Sequence, residues 1–136
     1  MKVFLDASAL VPLAIERDQW FFQLRRHLRV IRQAGAPHFV ATNWTYFEAL
    51  SITRRASYHT VTKLKRIVDA EVEVVGVDSV IEAQALRRFF AWRDKTASVI
   101  DHANLLMAVR LGCDAILSFD DDFVPIAAGS GVHLLH

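Results

Sequence analysis

Short apolar runs alternate with longer amphipathic stretches along this chain, and each change of period marks a predicted element. Near the start, "KVFL" is an apolar strand candidate. Between Asp18 and Ala34 the spacing becomes helical. Trp20, Leu24, Leu28 and Ile31 recur on one side, while Arg25, Arg26, Arg29 and Arg32 take the other positions. This predicts a helix with a basic outer face. "GAP" ends it, and "HFVAT" reads as a second strand. "NWTYFEALSITRRAS" follows as a helix with Asn43 as its N-cap, and another helix runs from about His59 to Ala70. "VEVVGV" is a third strand, and "DSVIEAQALRRFFAWRD" opens on Asp78 as a helix. "SVIDHANLLMAVRLG" is a helix closed by Gly112. "AILSF" is a fourth strand, with "GVHLL" a candidate fifth at the edge.

Strands separated by helices predict an α/β fold with a mainly parallel sheet of four to five strands. Right-handed crossovers put helices on both faces, giving a three-layer α/β/α sandwich. At 136 residues, with no internal repeat, low-complexity tract or Pro/Gly/Ser-rich linker, the expectation is one domain over residues 1–136. The one cysteine, Cys113, permits no intrachain disulfide, and no Cys/His spacing resembles a zinc site, so a reducing cytoplasm is the expected location. Asp6 interrupts the apolar N-terminal run, which argues against a signal segment. No stretch reaches the roughly 18 apolar residues of a spanning helix, so no membrane partner is expected.

The net charge of +1 conceals an asymmetry. Residues 1–100 hold 15 Lys/Arg against 10 Asp/Glu, whereas residues 101–136 hold one Arg against five Asp. Much of that acidity lies in "AILSFDDDF", where a strand runs into Asp120, Asp121 and Asp122. Aspartates are common in turns, and turn chemistry alone accounts for such a block unless other acids join it. In an open parallel sheet, ligands bind beyond the carboxyl ends of the strands. Asp6 directly follows the first strand and Asp120 the fourth, so both fall on that edge. Asp101 stands in "SVID", the Ser-x-x-acid pattern of a capping box with Ser98 as cap, and a helix N-terminus favours its ionised form. Glu48 sits among Tyr46, Phe47, Ala49 and Leu50, either as a solvent-facing residue or aimed at the same edge. If Asp6, Glu48, Asp101 and Asp120 converge, their repulsion raises some pKa values, and a divalent cation removes the conflict. An all-oxygen donor set favours Mg²⁺, with Mn²⁺ as a substitute. Hydrolysis of a phosphodiester suits one such ion, or two about 3.5–4 Å apart.

In this order these residues resemble the PIN-domain ribonucleases, in particular the VapC-like toxins of type II toxin–antitoxin systems. "VFLDASAL" is similar to the family's opening strand and first acid, and "VATNWTYFEAL" to its glutamate segment. "DKTASVIDHANLLMAVRLGCDAILSFDDDF" is similar to its C-terminal signature, and the likeness covers nearly the whole chain. The resemblance implies that Asp6, Glu48, Asp101 and Asp120 are the catalytic, metal-binding acids, with Asp122 as an outer-sphere helper. Ser8 would be a small hydroxyl residue near the first acid, and Asp121 a turn residue. It further implies Mg²⁺-dependent endonucleolytic cleavage of RNA, a homodimer, and inhibition by a cognate VapB-like antitoxin. Arg25, Arg26, Arg29, Arg54 and Arg55 are candidate RNA-phosphate contacts, or else a solvated helix face. Trp20, Phe21 and Phe22 exceed what one helix face buries, which leaves a partner surface or a core role open.

A PIN-type nuclease of RNA processing, without a toxin role, would carry the same site. A receiver-like phosphoryl-transfer domain also gathers aspartates at strand ends, but it wants a lysine late in the chain. The last lysine here is Lys95. A catalytically dead interaction module is the third alternative, and the intact acids argue against it.

Overall fold

In a computed structural model, which describes residues 1–93 and 96–136, the chain follows the predicted alternation. It runs β1 (Lys2–Leu5), α1 (Ala7–Ala14), α2 (Phe21–Gln33), β2 (His38–Thr42), α3 (Asn43–Ala56), α4 (Tyr58–Glu71) and β3 (Val72–Val75). It continues with α5 (Ser79–Ala91), α6 (Val99–Arg110), β4 (Ala115–Leu117), α7 (Phe123–Ala127) and β5 (His133–Leu135). The five strands pair in parallel in the order β3-β2-β1-β4-β5. "GVHLL" does supply a fifth, edge strand.

Side chains alternate across a strand, so a sheet with helices on both faces is apolar on both. Val3, Leu5, Phe39, Ala41 and Leu117 join Leu10, Leu24, Ala49 and Leu64 of α1 to α4 in one core cluster. Phe4 and Ile116 join Ile81, Ala103, Met107, Phe123 and Ile126 of α5 to α7 in the other. The result is the α/β/α sandwich. Fully burying a side chain such as Phe4 or Leu117 contributes about 1.5–3 kcal/mol each.

Several elements depart from the sequence expectation. α3 is capped by Thr42, whose Oγ1 accepts from the Thr45 N–H at 3.2 Å, and not by Asn43, which is its first residue. α1 was not predicted: "ASALVPLA" is buried at Ala7, Ala9, Leu10, Val11, Pro12 and Ala14, so it shows no polar stripe to reveal a helix. α2 begins at Phe21 and not Asp18, because Asp18 Oδ1 accepts from the Trp20 N–H at 2.8 Å, an Asx turn that competes with helix. β4 stops at Leu117, so Asp120 lies three residues beyond its strand and α7 follows at once. The helix expected to reach Asp94 is observed to Ala91. Asp94 and Lys95 lie outside the described residues.

Candidate metal centre

From the central strand β1 the sheet extends through β2 to β3 on one side and through β4 to β5 on the other. The carboxyl ends of β1 and β4 therefore flank the point where the winding direction reverses, which is where open α/β sheets bind ligands. Asp6 follows β1, and Asp120 and Asp122 follow β4. Glu48 projects from α3, the helix leaving β2, and Asp101 opens α6. All five line a single cleft of about 420 Å³, together with Asp18, Trp20 and Ile52. The four acids expected to converge do so, and Asp122 joins them.

Asp6 is the most enclosed of them, 5% exposed. Its side chain does not cap α1. The Oδ2 atom accepts from Ser8 Oγ and Ser118 Oγ, each at 3.0 Å, and Oδ1 accepts from Asn104 Nδ2 at 3.3 Å. Each serine is held in turn: the Phe119 N–H donates to Ser8 Oγ, and the Asp120 N–H to Ser118 Oγ. Burial pushes the Asp6 carboxyl up, against the lowering pull of its hydrogen bonds, that from Ser118 foremost.

Asn104 fixes this carboxylate from behind and is itself wholly buried. Its Nδ2 also donates to Thr45 Oγ1 at 2.6 Å, while its Oδ1 accepts from Thr42 Oγ1 at 2.9 Å. The amide orientation is forced, since a flipped carbonyl would face a carboxylate. Sequence reading missed Asn104 and Ser118. The available signal was position: Asn104 is three residues after Asp101, on the same side of a largely apolar helix, and Ser118 is the lone polar residue of "AILSF".

Asp101, Asp120 and Asp122 each offer a carboxylate oxygen, and the three oxygens lie within 4.8 Å of one another. Asp122 also accepts from Thr96 Oγ1. The Ser98–Asp101 capping box forms as expected: Ser98 N–H donates to Asp101 Oδ2 at 2.8 Å, and Asp101 N–H donates to Ser98 Oγ at 3.1 Å. Burial pushes the Asp101 carboxyl up to about 7; the bond from the Ser98 backbone opposes this, and the charges of Asp6 and Asp120 reinforce it. Glu48 is more open, yet its carboxyl is also raised, by partial burial and by Asp6 and Asp120.

Like charges held this close store repulsion that a divalent cation relieves, and every donor is a hard oxygen. The residues fit Mg²⁺ or Mn²⁺. The group of three close carboxylates includes Asp122, while Asp6 and Glu48, the other two acids expected as ligands, line the same cleft.

The five candidate RNA-binding arginines lie outside the cleft wall. Arg25 and Arg29 border a shallow hollow on α2, Arg26 borders another, and Arg54 stacks over Tyr58 with its guanidinium carbon 5.6 to 5.7 Å from the ring, as Arg25 does over Phe21. Asp121 is exposed in the turn, 2.8 Å from His136 Nε2, and does not line the cleft. Asp121→Asn is therefore expected to leave RNA cleavage within about twofold of wild type in a kcat/KM measurement, as surface changes of this kind do.

No family model matches the sequence, and no curated protein is a significant match to it. Solved structures do match. VapC20 of Mycobacterium tuberculosis, described as a sarcin–ricin loop cleaving toxin, superposes with a TM-score of 0.77 at 21% identity, over 93% of this chain and 95% of that one. The fold is therefore PIN-like. VapBC2 from Rickettsia felis, bound to a DNA fragment from its promoter, matches this PIN-like fold with a TM-score of 0.71 at 11% identity, covering 99% of this chain and 98% of that chain. PAE2754 from Pyrobaculum aerophilum matches at 0.61 and 16% identity, over 98% and 89%. At these identities the likeness is one of backbone, and the chemistry has to be read from the cleft. Among the described residues no helix is long and apolar enough to cross a membrane.

Proposed function

We propose that this chain is a divalent-metal-dependent endoribonuclease, one nuclease domain over its whole length, acting as the toxin of a type II toxin–antitoxin pair. The observation that carries the reading is the convergence of Asp6, Glu48, Asp101, Asp120 and Asp122, from four separate segments, on one cleft at the switch point. The toxin role draws its support from the fold shared with VapC20 and with VapBC2. A VapB-like antitoxin, a homodimeric state and a cytoplasmic location belong to the same reading.

Asp101, Asp120 and Asp122 would hold the ion, Mg²⁺ or Mn²⁺, together with Asp6 of the same cleft. When bound, such an ion activates water at neutral pH and stabilises the leaving oxygen of a phosphodiester. Glu48, at the open side of the cleft and with its carboxyl raised, accepts the proton of the attacking water. Ser8, Ser118 and Asn104 hold Asp6 in one orientation. Glu48 and Ile52 line the cleft one helical turn apart on α3, and Arg55 continues that stripe a turn further on. That stripe supports Arg55 as a contact for a phosphate beyond the scissile one, with Arg54, Arg25, Arg26 and Arg29 as outlying contacts.

The test is cleavage of RNA by purified protein with Mg²⁺ or Mn²⁺, abolished by a chelator, alongside calorimetric metal titration. Below about pH 7 a metal ion must displace a proton from Asp101. Mn²⁺ affinity is thus expected to climb between about pH 5 and pH 7 and to level off above, with proton release detected through buffer-dependent heats. No Mn²⁺ binding at any pH would refute the metal-dependent reading. Affinity that is flat with pH would remove Asp101 from the ligand set.

A further inference from the structure

We propose that Trp20 is a nucleobase-stacking platform beside the metal centre, so that RNA is cut next to an unpaired base. The inference rests on the nuclease reading and adds the recognition element that reading lacks.

Trp20 is half-buried and lines the same cleft as Glu48 and Asp120. One face of its ring stacks on Phe119, with centroids 5.1 Å apart and planes 9° from parallel. Phe119 is buried and directly precedes Asp120, and its own N–H is held by Ser8 Oγ. The Asx turn from Asp18 fixes the Trp20 backbone. The ring is therefore locked in place relative to the acids, and no conformational freedom has to be surrendered when a ligand meets it.

The charge of the wall says what that ligand surface must do. Six acids line the cleft: Asp6, Asp18, Glu48, Asp101, Asp120 and Asp122. Among the described lining residues none is a cation. The six acids repel a phosphate backbone away from the ion, so an uncharged contact close to the cut adds affinity that the described wall does not otherwise supply. Aromatic stacking is such a contact, and it accepts any base because every base has a π face. A base within a duplex already has both faces covered and must be unstacked at a cost of a few kcal/mol before it can reach the ring. An unpaired base meets Trp20 without that cost.

The test is a coupling cycle on a short mixed-sequence single-stranded RNA, intact or with one base removed at successive positions. Binding is read by fluorescence anisotropy with Ca²⁺ in place of the catalytic ion, and kcat/KM with Mn²⁺. Trp20→Ala is expected to weaken binding of the intact strand about five- to hundred-fold. Trp20→Phe keeps an aromatic face and should stay within a few-fold of wild type, which separates a lost platform from a misfolded protein. At one position, removal of the base should weaken wild type as much as Trp20→Ala does, yet leave Trp20→Ala itself unchanged. Losses that simply add at every position overturn the stacking role, as does equal affinity of Trp20→Ala and wild type. A wild type that shows the coupling but cuts no RNA sinks the nuclease reading alone. A wild type that cuts RNA with additive losses sinks the platform alone.

Discussion

Asp101→Asn is expected to abolish RNA cleavage and, at the same time, to raise the melting temperature of the metal-free protein at neutral pH. Both follow from one carboxylate that is buried and, to a lesser degree, lies in the field of Asp6 and Asp120. Its ordinary pKa of 3.8 rises to about 7 in the folded chain. The folded, metal-free protein thus retains a proton that the unfolded chain releases. Stability is fully present below about pH 4, declines as pH climbs towards about 7, and levels off above it. Asparagine has no such proton. The variant should lack that slope and gain on the order of 1–3 kcal/mol at pH 7, a shift of several degrees in Tm. The capping box survives the change, because an amide oxygen can still accept from the Ser98 N–H, so lost activity cannot be put down to a frayed helix. Thermal melts across pH, with and without Mn²⁺, check this. Added Mn²⁺ should stabilise wild type strongly and the variant little. A variant that melts lower than wild type at pH 7 without metal would mean that burying the Asp101 charge beside Asp6 and Asp120 carries no such penalty.

Asn104→Leu is the second change with a large expected effect, and its sign is opposite. Leucine fills a similar volume but removes a donor from Asp6 Oδ1, a donor from Thr45 Oγ1 and an acceptor from Thr42 Oγ1. All three partners are buried. Stranding such groups costs about 2–4 kcal/mol in total, which a denaturant melt would read directly. Asp6 also loses the brace that fixes its rotamer, and the loss of such a partner behind a metal-site carboxylate typically lowers affinity or activity about 10- to 100-fold. Asn104→Asp should be worse than leucine above pH 5, since it places a second acceptor against Asp6. Wild-type stability in Asn104→Leu would show that the network contributes nothing.

These two residues also mark how far the sequence could be read. Asp101 was legible because a serine three positions earlier announces a helix start, and a carboxylate in that place carries its own physical reason. Asn104 was not: one amide in an apolar helix has no period, and its meaning depends on β1 lying beside it. Strand adjacency was the hidden variable throughout. Asp6 and Asp120 could be assigned to the same sheet edge from the alternation of elements, but only the neighbouring of β1 and β4 brings them together. The same limit applies to the close carboxylates of Asp101, Asp120 and Asp122. A sequence shows which acids exist, not which hydrogen bonds orient them, and both Asp6 oxygens accept bonds, from Ser8, Ser118 and Asn104. α1 escaped notice for a related reason, since a segment buried all round has no polar face to betray its periodicity.

The pairing of β1 with β4 joins Val3 to Ala115, so the sheet's central seam closes only after most of the polypeptide has been made. Chains leave the ribosome N-terminal end first. A nascent chain that has exposed Asp6, Glu48 and Asp101 still lacks Asp120, Asp122 and the strand that carries them into position. Synthesis and assembly of the cleft are thereby separated in time: the growing polypeptide holds no five-acid cleft until the segment after β4 has joined β1.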